Sequence, residues 1–530
     1  MRRLNWARIR QEIPARLRTQ PFSVLVPIVA AQWLLVLLRA RSMEHNGWYF
    51  FQNGGETRLY STAWSLAHAH IPATPNGYGW SLLTAPIAAV AGANFLDALP
   101  ALVLVQTLVL LPVALLAVYG IASRVGGRLL GYFTAACWVV VPYAAGKLFQ
   151  GQYAQQYRHE LLPQALGLTG LGSFPSMVCV LVAAYFALTS IEDDDAARAV
   201  LAGLFAGFAI AIDASNALFL AAPAVGYAAA RRPRAAAAFG AALLPALLTL
   251  TVWRLRALGH VPHVHIPLDL HHLESVRLDF RTAFYSDRLV ELPFIAGALA
   301  IARQSWTYGA FVAAWFSSFV LVQGSAAGTN VGDGSWFGVL MPVFPAFVIA
   351  CACIPLLVPR LAPRLGHRLA AARLPRYRRG RRFVAVCGAV LAVLPLLAVV
   401  ALPVQEQPQL VTYASEGVLV PIDTSFPAQA TAATANVSLS WPPVAPRGAN
   451  VFYKVFAGPR ENSGGIGCER GDGATRCALR LQLVGTTNDP AYADRLRGGA
   501  TYRVGIAPRW SSNDGADVMV LSPPVSVNGS

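Results

Sequence analysis

The chain alternates long apolar runs with short polar ones. A helix of about 20 apolar residues crosses a bilayer. Runs approaching that length centre on 21–39, 98–120, 129–148, 173–190, 198–213, 214–230, 236–254, 289–303, 307–323, 337–358 and 383–403. The pattern predicts about eleven transmembrane helices and puts the two chain ends on opposite sides of a membrane. The longest polar stretch among these runs is 41–97. Within it, over residues 56–70, Leu59, Ala63, Leu66 and Ala67 recur at helical spacing. That spacing predicts an amphipathic helix lying along the membrane surface. Tyr60 and Trp64 suit such an interface, where a ring is half wet.

After residue 403 no run is long enough to span. Residues 437–441, 451–456 and 501–506 instead alternate apolar with polar, and turn residues separate them. Such stretches are half-buried strands, and together they predict a small β-sandwich. The fold class is an α-helical polytopic membrane protein over 1–403 followed by a β domain over 404–530.

Composition agrees. The chain is 55% hydrophobic and 13% charged, with a mean hydropathy of +0.48; an ordinary soluble domain is roughly 25% charged. The net charge of +16 is of the kind that often marks nucleic-acid binding. Here, however, Arg flanks apolar runs. Residues 359–382 hold nine Arg and no acid, and residues 1–20 hold six Arg and one Glu. The positive-inside rule accounts for this, and no nucleic acid is expected as a partner. Arg124, Arg128, Arg231, Arg232 and Arg234 fall on the same side as those clusters. The N-terminus is therefore expected inside a bacterial cytoplasmic membrane. Segments 41–97, 149–172, 255–288, 324–336 and the β domain are expected outside. No small-x-small cleavage site follows the first run; Arg39-Ala40-Arg41 does, so the run reads as a retained span.

Candidate chemistry lies in the outer segments. Glu56 is either a general acid or base facing water beside lipid, or a first-turn acid favoured by the helix dipole. Glu44 is the fallback acid. Glu160, next to Arg158 and His159, is the second candidate, or a solvated loop residue. Arg58 and Arg158 either hold a lipid phosphate or are surface charges. His260, His263, His265, His271 and His272 admit a divalent metal, yet their spacing matches no closed site and Pro262 and Pro267 suggest a loop. No metal ligands are assigned. Of seven Cys, five lie in apolar runs. Cys468 and Cys477 stand in a polar region and are expected to pair if that region is extracytoplasmic.

Glu56-x-x-x-Tyr60-x-x-Ala63, Leu66, Gly77-Tyr78 and Pro86 resemble the first external loop of GT-C glycosyltransferases, near the protein O-mannosyltransferase and aminoarabinose-transferase branch. Residues 198–232, with Asp213 between two short helices, are similar to the paired short helices of those enzymes. Residues 335–345 look like their late helix with two prolines. The resemblance covers residues 20–360. Glu56 and Gly79 stand where the family often has Asp and Pro, and Asp213 where it usually has Arg or Lys. The resemblance implies sugar transfer from a polyprenyl-phosphate donor to an envelope glycan, lipid or protein. Transfer would go by single displacement with inversion, with Glu56 as base and Glu160 as second acid. Arg58, Tyr60, Tyr78, Arg158 and His159 would line the substrate, and a cation or divalent metal would steady the leaving phosphate. Residues 404–530 resemble a fibronectin type III domain through Trp441, Tyr502 and the 522–527 end. The rival reading is a transporter or flippase. Such proteins show internal repeats and midplane charges, and no clear repeat is present here.

Overall fold

The computed structural model describes residues 21–42, 54–74, 77–91, 95–149, 151–259, 270–283, 288–326, 331, 335–358, 378–404, 410–413, 418–421, 427–432, 436–443, 451–459, 466–471, 474–479, 482–495, 500–508 and 520–526. Its helices are α1 (Pro21–Ser42), α2 (Gly54–Ala67), α3 (Gly79–Ala91), α4 (Phe95–Val105), α5 (Leu111–Ala145), α6 (Gly151–Gln156), α7 (Leu162–Ala165), α8 (Ser173–Asp193), α9 (Ala196–Ile212), α10 (Ala221–Ala230), α11 (Pro233–Ala242), α12 (Leu244–Leu255), α13 (Leu270–Ala283), α14 (Arg288–Gln304), α15 (Trp306–Val322), α16 (Ser335–Val339), α17 (Phe344–Cys353) and α18 (Arg378–Ala401). Short π-helical turns occur at Gln106–Leu110 and Tyr157–Leu161, and a 3₁₀ helix at Ala214–Leu220.

Among the described residues, five helical stretches are long and apolar enough to cross a membrane, and five shorter apolar helices accompany them. The longest, Ala98–Ala145, covers two expected spans. They separate at Gly126 and Gly127, whose backbones are non-helical, with Gly127 at φ 84°. That left-handed region favours glycine. Tyr119 and Tyr132 stack at 5.2 Å between ring centroids. In one straight helix thirteen residues would part them by roughly 20 Å. α5 is therefore a hairpin of two helices.

α8 is buried along most of its length and packs on α5, α9 and α10. α9 also meets α11 and α18, α10 meets α15, and α17 lies between α14 and α5. α1 lies against α5 and is the most lipid-like in exposure, with Leu34, Leu37 and Leu38 all open.

At one end of this bundle an acidic loop meets three arginines. Arg124 pairs with Glu192, Arg198 with Asp193 and Asp195, and Arg232 with Asp194. These are the segments that the Arg count puts on the inner side. The other end gathers segments expected outside. Ile71 bridges Val404, and Arg256 donates to the carbonyls of Val399 and Leu402, capping the C-terminus of α18.

Two expectations for 41–97 are corrected. The helix over 56–70 forms as α2, but it does not lie open on a surface. Glu56, Leu59, Tyr60, Ser61, Thr62, Ala63, Ser65 and Leu66 are all buried, and α2 packs between α3 and strand β2 (Val418–Pro421). Its small and hydroxyl-bearing residues let neighbours approach from several sides. The second correction is α3, an apolar helix inside what reads as a polar loop. Its Pro86 and the glycines before it mask the helical pattern.

The C-terminal strands are β1 (Leu410–Tyr413), β2, β3 (Gln429–Ala432), β4 (Asn436–Ser440), β5 (Val451–Pro459), β6 (Ile466–Gly471), β7 (Ala474–Leu479), β8 (Gln482–Thr487), β9 (Ala491–Arg495), β10 (Ala500–Pro508), β11 (Val520–Leu521) and β12 (Val525–Ser526). One sheet runs β3-β4-β9 and another β11-β10-β5-β8. On β4 buried Val437 and Leu439 alternate with exposed neighbours, whereas β5 from Tyr453 to Ala457 and β10 from Thr501 to Ile506 are buried on both faces, and Trp441 meets Tyr453 edge-on at 5.3 Å. The three strand signals of the sequence fall on β4, β5 and β10. A further sheet, β2-β1-β7-β6, has no counterpart in the sequence reading. The Cys468 and Cys477 hairpin belongs to it, not to the sheets around Trp441.

Candidate functional site

Glu56 is the third residue of α2, where the first-turn N–H groups favour an anion. It has no exposed surface (0%), and its Oε1 accepts the Gly170 N–H at 2.5 Å. A carboxylate buried this way needs hydrogen-bond partners to be tolerated. The Gly170 peptide is held from its other side too, because Trp80 Nε1 donates to the Gly170 carbonyl at 3.1 Å. Gln106 Nε2 donates to the carbonyl of Thr169 at 2.5 Å. Gln106 sits where α4 passes into a π-helical turn, a local widening often found at functional positions. Thus three residues from α2, α3 and the π turn grip one buried segment, 166–172.

That segment follows directly on α6, the π turn Tyr157–Leu161 and α7. The Tyr157 ring stacks on Phe149 at 4.6 Å, and its hydroxyl donates to the Pro142 carbonyl at 2.5 Å. Burial, with Tyr143 nearby, pushes the Tyr157 hydroxyl well above its ordinary pKa, so it stays a neutral donor. Arg158, on the same turn, is exposed. One continuous stretch of chain therefore runs from Arg158 to the Glu56 contact.

Tyr60 and Tyr78 do not face solvent. The Tyr78 hydroxyl donates to the Pro72 carbonyl at 2.9 Å, and its ring meets Trp253 edge-on at 5.5 Å. Burial raises its pKa far above the usual phenol value. Beside it, a Cβ at Gly77 would lie 2.1 Å from the Ala211 carbonyl oxygen. Only glycine allows this loop to rest directly on the end of α9. Asp213, at that end, is exposed, and its Oδ1 accepts the Ser215 N–H at 2.9 Å. It caps the 3₁₀ helix.

The side chains of Arg58, His159 and Glu160 lie outside the described residues, as do Glu44, His260, His263 and His265. His271 and His272 open α13. Among the described residues no three of His, Cys, Asp or Glu gather to hold a metal ion. The cysteine pair is placed by backbone register: Cys468 and Cys477 stand directly opposite each other across β6 and β7. Sequence reasoning missed the 166–172 segment and its holders Trp80 and Gln106. Its signal is Gly167, Thr169, Gly170 and Gly172 among apolar residues, a pattern that apolar helices also show.

No family model and no curated protein matches the chain. Three solved structures of the Archaeoglobus fulgidus oligosaccharyltransferase are similar to it. The apo form gives 12% identity and a TM-score of 0.36, over 72% of this chain and 56% of that one. The complex with Zn and sulfate gives 11% and 0.39, over 72% and 54%. AglB with an inhibitory peptide and a dolichol-phosphate gives 11% and 0.40, over 72% and 56%. The chain spans little more than half the length of those proteins.

Proposed function

We propose that this chain is a multi-pass membrane glycosyltransferase of GT-C type. In this reading it moves a sugar from a polyprenyl-phosphate donor to a hydroxyl of an extracytoplasmic acceptor. The observation that carries it is the Glu56 grip on Gly170, which joins the first outer segment to the second. An acid and a cation, Arg158, then belong to one connected element at the end of the bundle expected outside. The GT-C resemblance of 20–360 supports the same reading.

The chemistry is a displacement at the anomeric carbon. The acceptor oxygen bonds to that carbon while its proton passes to the Glu56 carboxylate. The bond from the anomeric carbon to the phosphate oxygen breaks, and its electron pair leaves with the polyprenyl phosphate. Arg158 and Arg58 steady the charge that develops there. Because Glu56 is buried under α3 and β2 at rest, the acceptor must part that cover to reach it. Tyr60 and Tyr78 in this reading shape the site from behind. Residues 404–530 are proposed to form a fibronectin type III-like domain whose strand β2 belongs to the cover.

The test is sugar transfer by the purified full chain from synthetic polyprenyl-phosphate sugars to a panel of glycan, lipid and peptide hydroxyls. Inverted linkage in the product is expected. Absence of transfer with every donor, beside measurable flux of a lipid-linked substrate across vesicles, would replace this reading with a transporter.

A further inference from the structure

Gln106 is the buried exception in a lipid-like stretch. Leu104, Val105, Leu108 and Val109 are all exposed, whereas Gln106 has no exposed surface. The π turn makes the difference. The Leu111 N–H donates to the Gln106 carbonyl, five residues back, and this wider turn points one polar side chain inward. Helix α1 holds the turn from outside, because Trp33 Nε1 donates to the Thr107 carbonyl at 2.8 Å. Gly167 holds the 166–172 segment against it from inside. Its φ is 68°, and a Cβ there would lie 3.2 Å from the Gln106 Cβ and 3.0 Å from Phe174 Cε1.

The chemistry of the contact fixes which way the Gln106 amide points. Only its nitrogen can donate to the Thr169 carbonyl, at 2.5 Å. The carbonyl of Thr169 and the N–H of Gly170 belong to one planar peptide unit. That N–H is the one that the Glu56 Oε1 accepts at 2.5 Å. Gln106 therefore reaches Glu56 through a single peptide: side-chain amide, carbonyl, N–H, carboxylate. Hydrogen bonds in such a chain polarise one another and strengthen each by roughly 10–30%. An N–H that donates to a carboxylate favours its charged form, which is the form a base needs. Stability does not account for Gln106. Its Oε1 is buried without a hydrogen-bond partner among the described residues, and so is the Oγ1 of Thr169. Buried polar atoms left this way cost stability that apolar side chains of the same size would not.

We propose that Gln106 is a positioning residue for the transfer reaction, holding the 169–170 peptide so that its N–H keeps the Glu56 carboxylate aimed and charged. The proposal rests on the reading of Glu56 as the base. The packing around Glu56 does not depend on Gln106 alone. Trp80 Nε1 still donates to the Gly170 carbonyl at 3.1 Å, and the Ser81 hydroxyl donates to the Leu59 carbonyl at 3.1 Å, tying α3 to α2. Loss of the Gln106 amide should leave the fold in place and loosen one peptide.

The experiment measures transfer kinetics and thermal unfolding of the full chain in nanodiscs, with radiolabelled synthetic polyprenyl-phosphate sugar so that slow variants stay measurable. Gln106→Met and Gln106→Asn are each made alone and combined with Glu56→Gln. Gln106→Met keeps the length and removes the donor. It should lower kcat roughly 10- to 100-fold, the scale of a misplacement of about 1 Å at a reacting group. The KM for donor and acceptor and the unfolding midpoint should stay at the wild-type values. Gln106→Asn keeps the amide but is one methylene too short, and should lower kcat in the same way. Added to Glu56→Gln, neither should cause a further loss, because the group that Gln106 serves is already gone. Wild-type kcat in Gln106→Met overturns this proposal. So does the same fold-loss with and without Glu56→Gln. A kcat loss that follows a lowered midpoint in both variants makes Gln106 a packing residue and overturns it too. Wild-type transfer by Glu56→Gln sinks the base reading instead, and no transfer from any donor sinks the glycosyltransferase reading as a whole.

Discussion

At the scale of single residues, Glu56 has two separable jobs: it holds Gly170 and, in our reading, takes a proton. Glu56→Gln keeps an oxygen for the Gly170 N–H and nearly the same volume. It should retain the fold and lose about 10²–10⁴-fold in transfer rate, the usual contribution of a positioned acid or base. Glu56→Ala also strands a buried N–H, so it should cost about 1–3 kcal/mol of stability in addition. Thermal unfolding and initial rates on the same preparations check both. A Gln variant that transfers sugar at the wild-type rate leaves Glu56 as an anchor only. Tyr78 makes the opposite case. Its hydroxyl is spent on the Pro72 carbonyl, so Tyr78→Phe should lose about 1 kcal/mol and leave the KM for donor and acceptor unchanged. A raised KM without lost stability would return Tyr78 to the substrate. Gly77→Ala tests the loop contact with α9. Its new Cβ meets backbone at 2.1 Å, so overpacking of about 1–3 kcal/mol or more is expected, read as a lower unfolding midpoint.

At the scale of elements, the β6–β7 hairpin offers a prediction of its own. Its register sets Cys468 opposite Cys477, and antiparallel neighbours have Cβ atoms about 4.5–5.5 Å apart. A disulfide is expected if the domain matures outside the cytoplasm, and a loop this short gains at most about 3 kcal/mol from it in the chain-entropy account. Peptide mapping of unreduced protein that finds both thiols free would remove it. The helices show what a sequence pattern can and cannot carry. α1, α8, α15 and α18 follow their apolar runs closely, because a span must be apolar over a fixed length whatever its neighbours are. α2 reads as a surface helix because its spacing reports which residues are apolar, not what covers the others. Ser61, Thr62 and Ser65 are polar by type and buried by packing. β2 is too short to announce itself, and with α3 it supplies the cover. The candidate site is legible in part for the same reason. Glu56 stands out as an acid heading a helix, whereas Gly170 matters only through its backbone N–H, which every residue but proline has.

At the scale of the molecule, the ion pairs at one end and the Ile71–Val404 bridge at the other divide the chain into two faces. The division follows the Arg distribution, since the acidic loop 192–195 meets Arg124, Arg198 and Arg232 on the expected inner side. From the positive-inside rule we propose that this face is cytoplasmic and that Glu56, the 166–172 segment and the β domain face outward. Two engineered thiols test it in intact cells with a membrane-impermeant maleimide. Asn488→Cys, exposed in the turn between β8 and β9, should label at once. Ala197→Cys, exposed at the start of α9 beside the acidic loop, should label only after permeabilisation. The apolar location of Cys137, Cys179, Cys351, Cys353 and Cys387 keeps the background low once Cys468 and Cys477 are replaced by Ser. The reverse pattern would invert the protein and put Glu56 and Arg158 in the cytoplasm, where an acceptor of the cell envelope cannot reach them. Labelling of both sites from one side would break the two-face division itself, and with it the argument that the outer loops share one site.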